Sequence, residues 1–171
     1  MNHLKRKITS IRPAAPEDTK AVLDLLQSAR DFMHSHGNPN QWNGVYPDIT
    51  DVEDYLSKGQ LYVGTCEDGL VHMVFALCLG KDPTYDYIED GQWLDDCPYG
   101  TIHMLASDGT VLHAFEECIN YCKNVISNIR IDTHKDNSVL INNAHKMGFI
   151  RCGVIYTHGS AREAFQKDFT E

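Results

Sequence analysis

The sequence predicts a single α/β (α+β) domain in which a central mixed sheet of about seven strands is flanked by about four helices. Three observations carry this prediction. A chain of 171 residues with 42% hydrophobic content suits one well-filled core. Runs with strand character alternate with runs of helical periodicity, in the order strand, two helices, three strands, helix, strand, helix, two strands. One strand-helix-strand unit lies inside a run of hairpins, so some neighbouring strands must be parallel and others antiparallel. No repeat, linker or low-complexity segment divides the chain, and one domain over residues 1–171 is the simplest organisation.

The elements follow in order. Ile8 to Ala14 alternates apolar and polar residues before and around Pro13 and reads as the first strand. Pro16, Glu17 and Asp18 supply a helix start, after which Ala21, Val22, Leu25, Leu26, Ala29 and Met33 recur at helical spacing until Gly37. Residues 38–47 are turn-rich yet hold Trp42 and Tyr46, the mark of a loop with something to pack against or bind. A short helix over 51–58 is stopped by Gly59, and strands over 60–66 and 71–79 form a hairpin about Glu67, Asp68 and Gly69. Residues 80–98 form a long acidic and aromatic surface excursion. The rest reads as a strand over 99–106, a helix over 111–125, a strand over 129–133, a helix over 137–147 ended by Gly148, and two strands over 149–156 and 164–168.

Charge and composition narrow the function. A formal net charge of -9 argues against nucleic acid as a partner, because affinity for a phosphate backbone comes from clustered Lys and Arg. An acidic surface is better suited to cationic small molecules. No run approaches the roughly 20 apolar residues of a membrane span, and residues 1–10 hold no apolar signal core, so a soluble cytoplasmic protein without a membrane partner is expected. The cysteines lack the paired spacing of a disulfide framework. Cys118 and Cys122 lie four apart on one helical face, but no second pair follows, and His34 and His36 do not close a site alone, so no metal is expected. Neither a Gly-x-Ser-x-Gly elbow nor a Gly-x-Gly-x-x-Gly fingerprint is present.

Three local patterns give the chain a resemblance to the GNAT (GCN5-related N-acetyltransferase) superfamily over nearly its whole length. Asn137 is followed eleven residues later by Gly148 and Phe149, similar to the family's pattern across its last helix. The block from Tyr99 to Ser107 resembles the family's fourth strand. Gln41 and Trp42 with Tyr46 and Pro47, ahead of a short helix and Leu61, Tyr62 and Val63, resemble the acceptor-side segment of many bacterial members. The resemblance implies an acetyl-CoA-dependent N-acetyltransferase acting on a primary amine of a small molecule or peptide by direct attack in a ternary complex. A non-catalytic acyl-CoA-binding protein is the alternative. A homodimer through the late strands is also implied by the resemblance.

On the same footing, Met104, Leu105 and Ala106 with Gly109, Thr110, Val111, Leu112, His113 and Ala114 would bind the cofactor, and Asn137 would contact it or cap the last helix. The turn at Asp108, Gly109 and Thr110 is expected to open a helix whose N-terminal N–H groups cradle a pyrophosphate. The loop departs from the family's Gln/Arg-x-x-Gly-x-Gly/Ala by keeping only the final small residue. A backbone N–H near Leu105 would polarise the thioester carbonyl. His103, Asp132 and His134 are the candidate bases, each with an ordinary structural reading beside it. The family's usual acid, a Tyr seven residues after the motif Asn, is replaced by Ala144. Trp42 and Tyr46, with the excursion over 82–96, are expected to wall the acceptor site.

Overall fold

A computed structural model describes residues 5–170. All seven strands join one sheet in the order β1-β2-β3-β4-β5-β7-β6. The strands are β1 (Ser10–Pro13), β2 (Leu61–Thr65), β3 (Val71–Leu79), β4 (Gly100–Ser107), β5 (Asn128–Thr133), β6 (Ile150–Thr157) and β7 (Ser160–Asp168), and the helices are α1 (Thr19–Ser35), α2 (Ile49–Ser57), α3 (Ala114–Cys122) and α4 (Ser138–Lys146). Among the seven strands of the described residues, only β4 and β5 are parallel neighbours.

Alternation along the strands creates two cores. Met73, Phe75, Leu77, Ile102, Ile129, Ile131 and Phe165 face α3 and α4, where they meet Phe115, Cys118, Ile119, Cys122 and Phe149. Each large apolar side chain buried here contributes about 1.5–3 kcal/mol relative to exposure. On the other face, Val63, Val74 and Ala106 receive Val22, Leu25 and Leu26 of α1 and Val52 of α2. Asp48 caps α2 by accepting from the N–H groups of Thr50 and Asp51, and Asp51 Oδ2 accepts from Asp48 N at 2.8 Å. Gly148 ends α4 as expected, at φ +80°, with Phe149 N donating to Ala144 O.

Two element starts and the packing of the excursion differ from expectation. The helix expected over 111–125 begins only at Ala114, because Val111 is paired with Arg6 in a parallel bridge and His113 has left-handed backbone, φ 56°. The strand expected over 164–168 begins at Ser160. His158 and Gly159, at φ 48° and 73°, make a two-residue hairpin turn between β6 and β7. The excursion over 80–98 packs inward. Tyr85 is 2% exposed, Arg130 lies between the rings of Trp93 and Tyr99 at 4.2 and 3.9 Å, and the backbone of Glu89 pairs with Val154. At Gly153 a Cβ would meet Glu89 O at 2.5 Å, so this docking requires glycine.

Candidate functional site

The paired part of β4 and β5 is short. Gly100 faces Ile129 and Thr101 faces Arg130, and beyond those two pairs the strands separate. On its other side β4 carries a bulge: Val74 faces Ala106 while Ala76 faces His103, so one residue of β3 spans two of β4. Met104, at φ 54°, makes that bulge, and neither Met104 nor Leu105 is in register with either neighbouring strand. The opening leads into a cleft of about 850 Å³. Its walls include Ile102, Leu105 and Ile131 from the α3/α4 face and His103, Asp132 and Arg162 from the α1/α2 face, so it passes between the strands through the sheet.

The segment over 38–47 closes one side. Arg30 donates to Trp42 O at 3.2 Å and to Pro47 O at 2.9 Å. Gln41 Oε1 accepts from Asn38 Nδ2, Thr133 Oγ1 and Asn137 Nδ2 at 2.9, 3.2 and 3.2 Å, binding the segment to the end of β5 and the start of α4. Asn137 also caps α4, its Oδ1 accepting from Leu140 N at 3.2 Å, so its capping and cleft-lining positions coincide. Tyr46 stacks on His158 with ring centroids 3.8 Å apart. Burial, followed by the neighbouring Tyr55, Asp51 and Asp132, raises the Tyr46 hydroxyl well above its ordinary value. Burial and then Arg162 hold His158 below its ordinary value, which keeps that ring neutral at pH 7.

His103 Nε2 lies 2.8 Å from Asp82 Oδ2. Burial alone would raise the Asp82 carboxyl, but hydrogen bonds from His103 and Thr84 outweigh it and hold the group at about 2. With Asp82 ionised, Nε2 is the donor of this bond. Asp132 accepts from the Tyr85 hydroxyl at 2.7 Å through Oδ1, and its Oδ2 lies 4.0 Å from Arg162 Nη1.

Met104, Leu105, Ala106, Gly109, Val111, His113, Ala114 and Asn137 line the cleft, together with Trp42, Tyr46, His103 and Asp132. Thr110 and Leu112 do not. Their N–H groups are directed elsewhere, Thr110 N to Asp108 Oδ1 at 2.9 Å and Leu112 N to Arg6 O at 2.9 Å. The helix expected to open at the turn over 108–110 opens instead at Ala114. Glu116 and Glu117 occupy the first turn there, while Lys5 and Lys146 also line the cleft. His134 is away from the wall, accepting from Asp136 N through Nδ1 at 3.2 Å. The excursion is not part of the wall either. It supports the cleft from behind through Asp82 and Tyr85.

Arg162, His158 and the two lysines lie outside the sequence expectation, and Asp82 enters it only as part of the acceptor wall over 82–96. Arg162 and His158 belong to a hairpin whose His-Gly turn lacks the common Asn-Gly signal, and Asp82 is one acid among many in its segment. Among the described residues no group of three His, Cys, Asp or Glu side chains is placed to hold a metal ion, and no helix is long and apolar enough to cross a membrane.

No family model and no curated protein matches the chain by sequence. Solved structures do resemble it. A GNAT-family acetyltransferase from Streptococcus agalactiae 2603 superposes with a TM-score of 0.84 at 27% identity, over 97% of this chain and 99% of that one. One from Listeria monocytogenes 4b F2365 gives 0.68 at 19% identity, over 94% of each chain. A ribosomal-protein-alanine N-acetyltransferase from Brucella melitensis gives 0.62 at 15% identity, over 94% of this chain and 99% of the other. The fold is thus the acyl-CoA N-acyltransferase fold, and acetyl transfer is the general activity that the similarity to the Streptococcus agalactiae protein supports.

Proposed function

We propose that this chain, which belongs to the GNAT superfamily, is an acetyl-CoA-dependent N-acetyltransferase acting on a primary amine by direct attack in a ternary complex. The observation that carries the reading is the through-sheet cleft at the separation of β4 and β5, with Met104 and Leu105 out of register on both sides. A co-substrate with a long arm fits such a slot. Backbone N–H groups without a strand partner suit a thioester oxygen that gains negative charge during acyl transfer. Met104, Leu105 and Ala106 would hold the acyl end. Gly109, Val111, His113 and Ala114 would lie along the distal end, with Lys5 and Lys146 offering charge to its phosphates.

Acetyl-CoA supplies the activated acetyl group, and the remaining requirements fall on the chain. His103 takes the amine proton on Nδ1, since Asp82 fixes the other nitrogen. As the N–C bond forms, the C–S bond breaks and the sulfur leaves as thiolate. Ala144, at the position of the family's Tyr, is fully buried and provides no proton. Trp42 and Tyr46 close over the acceptor.

The test is thiol release from acetyl-CoA in the presence of mixed primary amines, with product mass confirming N-acetylation. Amine-dependent release is expected. Acetyl-CoA binding without release from any mixture would favour the non-catalytic acyl-CoA-binding alternative, and no binding would overturn both.

A further inference from the structure

The cleft contains a cation whose hydrogen-bonding capacity is largely unused. The Arg162 side chain is 6% exposed and lines the cleft. Its Nε donates to Ser160 Oγ at 2.9 Å, which fixes the plane of the guanidinium. Among the described residues neither terminal nitrogen donates a hydrogen bond. Asp132 is the nearest acid, and its Oδ2 stays 4.0 Å from Nη1, beyond hydrogen-bonding distance, while Oδ1 is held by Tyr85. A structural ion pair would close that gap. Here both partners are anchored from behind and stop short of each other at the cleft wall.

The terminal N–H groups of Arg162 open onto the cleft, and the fork geometry of a guanidinium fits a planar carboxylate in bidentate fashion. The neighbouring carboxylate oxygen accepts from an ammonium. The two groups face a ligand with opposite charges, and their 4.0 Å spacing suits charges separated by one or two carbons. A phosphate dianion would be repelled by Asp132 at this distance. His158 is neutral, so it adds no second cation to draw such a dianion.

From this arrangement we propose that the acceptor is a zwitterion, a free α-amino acid or close analogue, whose carboxylate is bound by Arg162 and whose amine is received beside Asp132 and His103. This rests on the transferase reading above and narrows its acceptor. The acidic net charge of the chain points toward plain cationic amines, and the local pair points elsewhere.

The experiment compares free amino acids with their decarboxylated partners in the thiol-release assay: methionine with 3-(methylthio)propylamine, phenylalanine with phenethylamine, leucine with isoamylamine. Acetyl-CoA binding is measured alongside by calorimetry. For at least one pair, the amino acid is expected to exceed its amine by about 100-fold in kcat/KM, the range for a charged hydrogen bond made or left unmade. Arg162→Gln should remove that advantage mainly through KM while leaving acetyl-CoA affinity unchanged, and Arg162→Lys should restore part of it. Equal turnover of the amines, or turnover of no amino acid by wild-type protein that binds acetyl-CoA, would overturn the zwitterion proposal. The wild-type comparison decides the matter even if both variants misfold. Failure of acetyl-CoA to bind wild-type protein would instead overturn the transferase reading beneath it.

Discussion

At the Arg162 end of the cleft, His103, Asp132, Asn137 and Gln41 are each held by side-chain hydrogen bonds to other buried or half-buried groups. At the His113 end the chain meets the cleft with backbone and with exposed side chains: those of His113 and Glu116 are 68% and 55% exposed. Rigid side-chain networks suit the positioning of small reacting groups, where misplacement by an ångström is costly. Exposed backbone suits a long co-substrate gripped at many weak points. Substitutions at the first end should therefore act on turnover and folding, and those at the second on affinity.

The largest effect is expected at His103. His103→Ala should lower kcat by about 100-fold or more, the usual contribution of a positioned base, with acetyl-CoA affinity unchanged in calorimetry. A loss of affinity equal to the loss of rate would blur the distinction between the ends. Asp82→Asn should follow with roughly a 10-fold fall in kcat, since it no longer fixes the His103 tautomer. Its pH signature is separate. The folded carboxyl, at about 2, lies below the ordinary 3.8, so its stabilisation is complete above pH 3.8 and disappears as the pH falls through about 2. Denaturant unfolding of Asp82→Asn should be flatter across that acid window than that of the wild type.

Gln41→Ala removes the acceptor shared by Asn38, Thr133 and Asn137, of which Asn137 Nδ2 keeps Thr133 Oγ1, and should cost about 1–3 kcal/mol in denaturant unfolding. At the other end, Glu116→Gln removes an exposed acid beside the expected phosphates and should tighten acetyl-CoA binding by about two- to fivefold, with kcat unchanged. An effect of this variant on kcat alone would mean that the two ends are not divided as described.

The comparison also explains what was legible in the sequence. The sheet, the four helices and the parallel pair at its centre follow from periodicity, because each strand face buries a continuous apolar row. Asn137, Gln41 and His103 stand in recognisable local patterns. Arg162 and His158 do not, since their place depends on the β6-β7 hairpin folding back beside β5, a contact that no local spacing encodes. The start of α3 is hidden for a related reason. Val111 has helical neighbours in sequence but pairs with Arg6, more than a hundred residues earlier. Acids interleaved with aromatic residues make the excursion read as a wall, yet Tyr85 and Trp93 pack into the core and carry the segment behind the cleft.

Binding of an acyl donor in this fold requires the gap between β4 and β5. Titrating isotopically labelled protein with acetyl-CoA while following backbone amides tests it directly. The predicted result is one-to-one, saturable shifts largest at Met104, Leu105 and Ala106, followed by Ala114 and Phe115. Saturable binding with those amides unmoved, or no binding at all, would contradict the assignment of this cleft to the acyl donor.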